Sequence, residues 1–441
     1  MIDELTVFEN VELLAKDSMY IFIESTIDIQ TLVSNQTQFL YTDAIEFDSG
    51  GNLQEVELVT LVKDAVFIYP QRFVDNQTGE TIVETLTFDV DGDGNDDETT
   101  IQGRFLEDNE LIFTNEKPYV IYGYAAVNDS KTLTIEAGAR LHFHANSGLL
   151  VANGGSLKVN GLPSMDQELL EGEVTFEGDR LEPQFSNTPG QWGTIWLRAG
   201  SKENEINYAQ IKNGSIGILV DSITSSTSPT LTLKNTEIFN HSNFGVLARE
   251  TSILGENIVI GNAGEASLAC VIGGSYNFTH STFANYWNNG IRSLPAVLVN
   301  NFYTYTNASG QEVIETRDLI AANFTNCIID GNNNIEFLPD RADGSLFNFK
   351  VANSLIKFTD INNSLAGVSE VDFDNTSLYE NILLNGVSHF RNVSSNDFII
   401  GQDSQAINFG NSTGAGLVPL DILGVTRTIS PDAGAYQHID F

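Results

Sequence analysis

The chain has 441 residues, 59 acidic against 21 basic, for a formal charge of −38. That balance excludes nucleic acid and an anionic membrane surface as partners, since both demand a basic footprint, and it leaves room for divalent cations. The length exceeds what one compact core serves, and 37 Gly, 10 Pro and 41% hydrophobic residues suit many short strands joined by tight turns.

The opening MIDELTVFEN has neither a basic region nor an apolar signal core. The expectation is a protein made without an export signal, or a chain that begins downstream of one. No later run approaches the roughly 18 apolar residues of a transmembrane helix. Residues 1–70 read as strands at 19–23, 44–47 and 55–61, the last two joined as a hairpin through Ser49-Gly50-Gly51-Asn52. These are too few strands for a complete sandwich.

Residues 71–117 read as an acidic linker or insertion. It holds the run Asp89-Val90-Asp91-Gly92-Asp93-Gly94-Asn95-Asp96-Asp97. Oxygen side chains at alternate positions with Gly94 at the sixth match the first nine positions of a calcium loop, so Asp89, Asp91, Asp93, Asn95 and Asp97 are candidate ligands of a structural Ca²⁺. Position twelve is Thr100 rather than the bidentate Glu of an EF-hand, and no helical pattern flanks the loop. The run resembles the short loops of dockerin-like or thrombospondin-repeat modules. The competing reading is a plain acidic linker.

From Tyr119 a strand-turn rhythm sets in. Between Ile206 and Ile356 a cassette returns, apolar-x-apolar-x-[Asn/His]-x-x-apolar, marked by Asn235, Asn257, His280, Asn326 and Asn353. Steps of 22 and 23 separate the first three markers, and the gap of 46 from His280 to Asn326 reads as two steps of 23. This period fits one rung of a parallel β-helix, too thin to bury its own face. Asn at the marker tolerates the left-handed conformation at a bend and can hydrogen-bond from rung to rung, so the ladder reads as architecture. Polar excursions near 162–190 and 284–318 interrupt the rhythm, and a less regular closing region follows about residue 360. Cys270 and Cys327 sit in apolar runs without metal-ligand spacing and read as buried thiols.

Several phrases together resemble one family, the right-handed parallel β-helix surface lipoproteins abundant in Bacteroidota. They are Lys117-Pro118-Tyr119-Val120-Ile121-Tyr122-Gly123, Leu133-Thr134-Ile135-Glu136-Ala137-Gly138, Phe176-Glu177-Gly178-Asp179-Arg180-Leu181, Pro189-Gly190-Gln191-Trp192-Gly193, Phe283-Ala284-Asn285-Tyr286-Trp287 and the terminal Pro431-Asp432-Ala433-Gly434-Ala435-Tyr436. The resemblance implies a partial immunoglobulin-like β-sandwich over 1–70 and a right-handed parallel β-helix of roughly ten rungs over 118–441. It also implies a place at the cell surface, as an extracellular or outer-membrane lipoprotein. The export signal and lipidated Cys usual in the family are not in this sequence. The resemblance carries no established reaction.

A polysaccharide lyase needs a cation to neutralise a uronate and a base near its C5 proton, and a hydrolase needs paired carboxylates about 5 to 9.5 Å apart. Neither constellation stands out. His142 and His144 share one face of a strand, where they read either as two thirds of a metal site or as a solvated polar pair. Trp192, Trp196, Tyr286, Trp287, Tyr303 and Tyr305 gather in or beside the excursions, where rings could stack on sugars or seal gaps; Arg180 and Arg341 could add polar contacts. The expected function is non-catalytic binding or scaffolding on a glycan or another surface ligand; the alternative is a polysaccharide lyase or glycoside hydrolase with its site assembled across rungs.

Overall fold

The computed structural model describes residues 11–12, 16–20, 38–48, 50–90, 94–222 and 228–441. The chain is all-β and divides into two compact units, Met1–Lys63 and Asp64–Phe441. In the first, Gln38–Asp48 pairs antiparallel with Leu53–Lys63, so the hairpin expected around Gly50-Gly51 is present. The strand expected at 19–23 falls largely outside the described residues. No helix among the described residues is long and apolar enough to cross a membrane.

The second unit is dominated by a large, mainly parallel sheet whose pairings form three ladders. Inward apolar side chains set each register. One ladder carries Tyr119, Leu141, Phe176, Ile211, Ile238, Ile260, Phe283, Ile329 and Ile356 in line. The next carries Ala125, Leu149, Ile195, Ile218, Val246, Leu268, Val297 and Phe337. The third carries Phe113, Ile135, Val159, Ile206, Leu233, Gly255, Phe278, Phe324 and Val351. All three converge on one continuous buried core. Period-2 alternation puts every second side chain inside, and each fully buried Ile, Leu or Phe contributes about 1.5–3 kcal/mol.

The marker residues sit at the corner between the third ladder and the first. Asn235, Asn257, His280, Asn326 and Asn353 all have φ between +45° and +56°, the conformation expected of them. Their side chains link successive levels: Asn257 Nδ2 donates to Asn235 Oδ1 and Asn235 Nδ2 to Asn207 Oδ1, both at 2.9 Å, while Asn326 Nδ2 lies 2.9 Å from His280 Nε2.

Two expectations are corrected. The 46-residue step is one level, not two, because Asn277 pairs directly with Asn323. The extra length is taken up by a loop after Trp287 and by the antiparallel hairpin Phe302–Thr306/Glu312–Thr316. The segment 71–117 is not merely a linker: Gly103 to Phe105 pair in parallel with Tyr124 to Ala126, and Ile112–Phe113 pairs with Thr134 and Ile135. Even Val66–Ile68 joins the first ladder, which puts the boundary at Lys63/Asp64 rather than at residue 70. Polar composition hid these strands because one face of each lies in solvent.

The closing region runs back along the outside of the first ladder. The outward residues there, Phe239, Val259, Ala284, Ile328 and Leu355, are apolar, and Phe398, Ile400, Ala406, Ile422, Ala433, Ala435 and Tyr436 cover them. Polar ties complete the cover: Arg427 Nη2 donates to Asn257 Oδ1 (2.8 Å), Gly434 N to the Asn326 carbonyl (2.8 Å) and Tyr436 Oη to Glu237 Oε1 (2.6 Å). Both cysteines are free and buried, as expected, and burial raises the Cys327 thiol to about 12.

Phe324 stacks on Phe278 and meets Phe283 and Phe337 edge-on. Phe324→Ala is expected to cost about 3–5 kcal/mol in denaturant unfolding; a cost below about 1 kcal/mol would show that the aromatic column is not a packed core. A second outcome concerns pH. Burial, reinforced by Glu237, pushes the Glu173 carboxyl up to about 7. A carboxyl raised in the folded state holds its proton longer than in the unfolded chain. Its stabilising contribution is therefore complete below the ordinary carboxylate range and is lost as pH rises through about 7. Thermal melts should show Tm falling over that interval, with a smaller fall in Glu173→Gln; identical slopes in both proteins would contradict the assignment.

Candidate functional site

The corner between the first and second ladders stacks level upon level and forms one wall of an open groove of about 1230 Å³. That wall comprises Tyr122 to Tyr124, His144 to Asn146, Gly193-Thr194 and Ser215-Ile216, and Tyr69, after Ile68, and Gln102, before Gly103, continue the same corner at its first levels; Pro70, Arg72, Val83, Thr100 and Ile101 complete the lining. The corners approach so closely that only glycine fits. A Cβ on Gly193 would stand 2.4 Å from Tyr124 Oη, and one on Gly148 would stand 2.3 Å from the Thr194 carbonyl oxygen.

Tyr122, His144 and Asp179 each follow a strand of the first ladder, at equivalent points of three successive levels. The register therefore brings them together. The His144 ring lies 4.6 Å from the Tyr122 ring, and its Nδ1 is 2.7 Å from Asp179 Oδ2, so Nε2 is the remaining polar atom of the imidazole. His144 is about half exposed and Tyr69 is 61% exposed. Below them, burial raises the Tyr124 phenol above its ordinary value. Among the described residues the side chains of Tyr69, Arg72, Gln102, Tyr122 and Asn146 make no hydrogen bond or ion pair, which leaves phenol, amide and guanidinium groups free on an aromatic surface.

The residues singled out from sequence do not gather there. Trp192 is 1% exposed, with its ring 4.4 Å from Phe143 and its Nε1 donating to the Lys212 carbonyl (2.8 Å); its large apolar area belongs to the core, so it is no platform for a ligand. Trp196 is half-buried edge-on to Phe88 and donates to Asp221 Oδ2 (2.7 Å). Arg180 pairs with Glu182 and lies 3.9 Å over the Phe185 ring; Arg341 pairs with Asp343 and Glu370. Trp287 is half-buried, its carbonyl accepting from Asn332 Nδ2 (2.7 Å). Tyr303 and Tyr305 stack at 5.8 Å on the inserted hairpin.

Of these candidates, Tyr286 lines a cavity of about 330 Å³ with Asp330, Lys357, Ser388 and His389. Its Tyr, Asp, Ser and Lys groups are bonded internally. Asp330 Oδ2 accepts from Tyr286 Oη (3.0 Å) and Ser388 Oγ (2.6 Å), Oδ1 accepts from Gly331 N (2.7 Å), and Lys357 Nζ donates to the Gly331 carbonyl. A buried ion pair, Arg292 with Glu336, pins the neighbouring loop: both guanidinium ends meet the carboxylate at 2.5 and 2.9 Å, and the Asn333 and Ala296 N–H groups fill its other lone pairs. Two buried atoms of these clusters, His389 Nδ1 and Arg292 Nε, have no hydrogen-bond partner among the described residues.

Of the acidic loop, Asp91 and Asp93 lie outside the described residues. Asp89 Oδ2 accepts from Gly94 N (3.0 Å) and Asp97 Oδ2 from Val90 N (2.9 Å), so the loop is cross-braced by its own carboxylates, with Gly94 at φ +88°. His142 Nδ1 lies 3.5 Å from Glu177 Oε1, and among the described residues no group of three or more His, Cys, Asp or Glu is placed to hold a metal.

The groove residues had only faint signals in sequence. Tyr122 stands inside one of the family-like phrases, His144 shares a strand face with His142, and Arg72 lies in a polar stretch without a motif. Only the register unites them. No family model matches the chain, and no curated protein matches it.

Proposed function

We propose that the second unit winds as a right-handed parallel β-helix, displayed at the cell surface, and that it binds a glycan in the groove without turning it over. The observation that carries this reading is the groove's lining: the Tyr69 and Tyr122 rings beside the uncommitted amides of Gln102 and Asn146. Flat rings flanked by free donors and acceptors suit a sugar, which presents an apolar face and a rim of hydroxyls. Three parallel ladders with single-level steps are what such a winding produces. No Asp or Glu lines the groove among the described residues, which favours binding over hydrolysis by paired carboxylates.

One observation favours the second reading, a polysaccharide lyase. The His144–Asp179 pair has the form of an oriented base. A polysaccharide panel scored for both binding and new unsaturated or reducing ends separates the two. In the binding reading, Tyr122→Ala lowers affinity about tenfold with the fold intact, equivalent to about 1.4 kcal/mol, and no products form. Products that vanish in His144→Ala would replace it with the lyase.

A structural Ca²⁺ at the acidic loop belongs to the same reading. The support is the spacing of oxygen side chains from Asp89 to Asp97 about Gly94, which stands at φ +88° and lets the loop turn sharply, as an oxygen-ligand loop requires. Added Ca²⁺ is expected to raise Tm over chelator-treated protein, and Asp89→Ala to abolish the difference. Equal melts with and without Ca²⁺ would make the loop a plain acidic turn.

A further inference from the structure

We propose that the groove is built for an anionic glycan, one carrying a carboxylate or sulfate group, and that Arg72 is the residue that takes the charge. The inference rests on the glycan reading above and adds its chemical class.

Two observations carry it. The chain has 59 acidic residues, yet none lines the groove among the described residues, and Arg72 is the one guanidinium in the lining, while His144 there is paired with Asp179. Arg72 is also the exception among the arginines. Arg104, Arg249, Arg292, Arg317, Arg341 and Arg391 pair with carboxylates. Arg180 pairs with Glu182, Arg198 lies over Phe88, and Arg140 and Arg427 donate to carbonyls. Only Arg72 has no hydrogen bond, ion pair or ring contact, among described residues that include every arginine of the chain.

Its surroundings explain why it stays free. Arg72 faces Val83 across the antiparallel pair Arg72–Val74/Thr81–Val83, and the adjacent Glu84 carboxylate is held by the Gln71 N–H at 2.9 Å. A guanidinium fork without a partner, in the lining of an aromatic groove whose neighbouring carboxylate Asp179 is engaged by His144 Nδ1 at 2.7 Å, is matched to a planar or tetrahedral oxyanion. The net charge of −38 does not forbid this. At physiological ionic strength charges beyond about 8 Å are screened, so the groove's own side chains decide what enters.

The test is calorimetric titration of the full chain with three oligosaccharides of equal length: an oligogalacturonate, a sulfated galactan fragment and a neutral cello-oligosaccharide. Preference for the first assigns the anion as carboxylate, and preference for the second as sulfate; either supports the proposal when affinity falls with added salt. Arg72→Gln should then weaken the preferred ligand about tenfold to a hundredfold and remove the preference over the neutral oligosaccharide. Because Arg72 is exposed and makes no internal contact, the substitution spares the fold, which circular dichroism checks. Equal binding of neutral and charged ligands, insensitive to Arg72→Gln but lost in Tyr122→Ala, overturns the anionic class while the glycan reading stands. Silence with all three across the panel overturns both.

Discussion

Everything in the second unit depends on the parallel alignment of like with like. One strand of a ladder by itself leaves both its edges unpaired and its apolar side chains in water. Only the next level, in register, supplies hydrogen-bond partners and a cover for the apolar side chains. Ile211 over Phe176, Ile238 over Ile211 and Ile260 over Ile238 show that condition met repeatedly. A slip of one residue would turn these side chains outward, so burial itself holds the register. The corners must then repeat as well, and the left-handed Asn and His residues are how this chain makes one bend at one height on every level.

The same alignment leaves a debt on the outside. Where the first ladder's outward positions become apolar, from Phe239 to Leu355, a second layer is needed, and the closing region provides it by returning over the levels already laid down. Its ties to Asn257, Asn326 and Glu237 use side chains whose neighbours belong to the corner ladder. The corner is thus both a bend and a docking rail. Burial of Glu237 beneath Tyr436 is a consequence of that cover, and desolvation raises its carboxyl above the ordinary range.

The groove follows from the third feature of stacking, that equivalent corner positions on successive levels become neighbours. Tyr122, His144 and Asp179 are far apart along the chain and adjacent in space for this reason alone. Tyr69 and Gln102 extend the same corner at its first levels, because Val66–Ile68 pairs with Tyr119–Ile121 and Gly103 with Tyr124. Aromatic residues within the stack, Trp192 among them, serve packing, and Tyr69, Tyr122 and Tyr124 at its corner line the groove.

The sequence by itself determined the all-β class, the repeating level and the conformation at Asn235, Asn257, His280, Asn326 and Asn353, because each is a local property of alternation and of side chains that tolerate positive φ. It also determined the hairpin about Gly50-Gly51 and the burial of both cysteines. Tertiary structure alone decided that the 46-residue step is one enlarged level, since an insertion and a further repeat have the same length in sequence and differ only in pairing. It decided that Trp192 is core, because a ring beside a polar loop can face either way until the neighbouring Phe143 is in place. And it decided the groove, whose residues from Tyr69 to Ser215 share no motif and are collected by register between strands that sequence separation keeps apart.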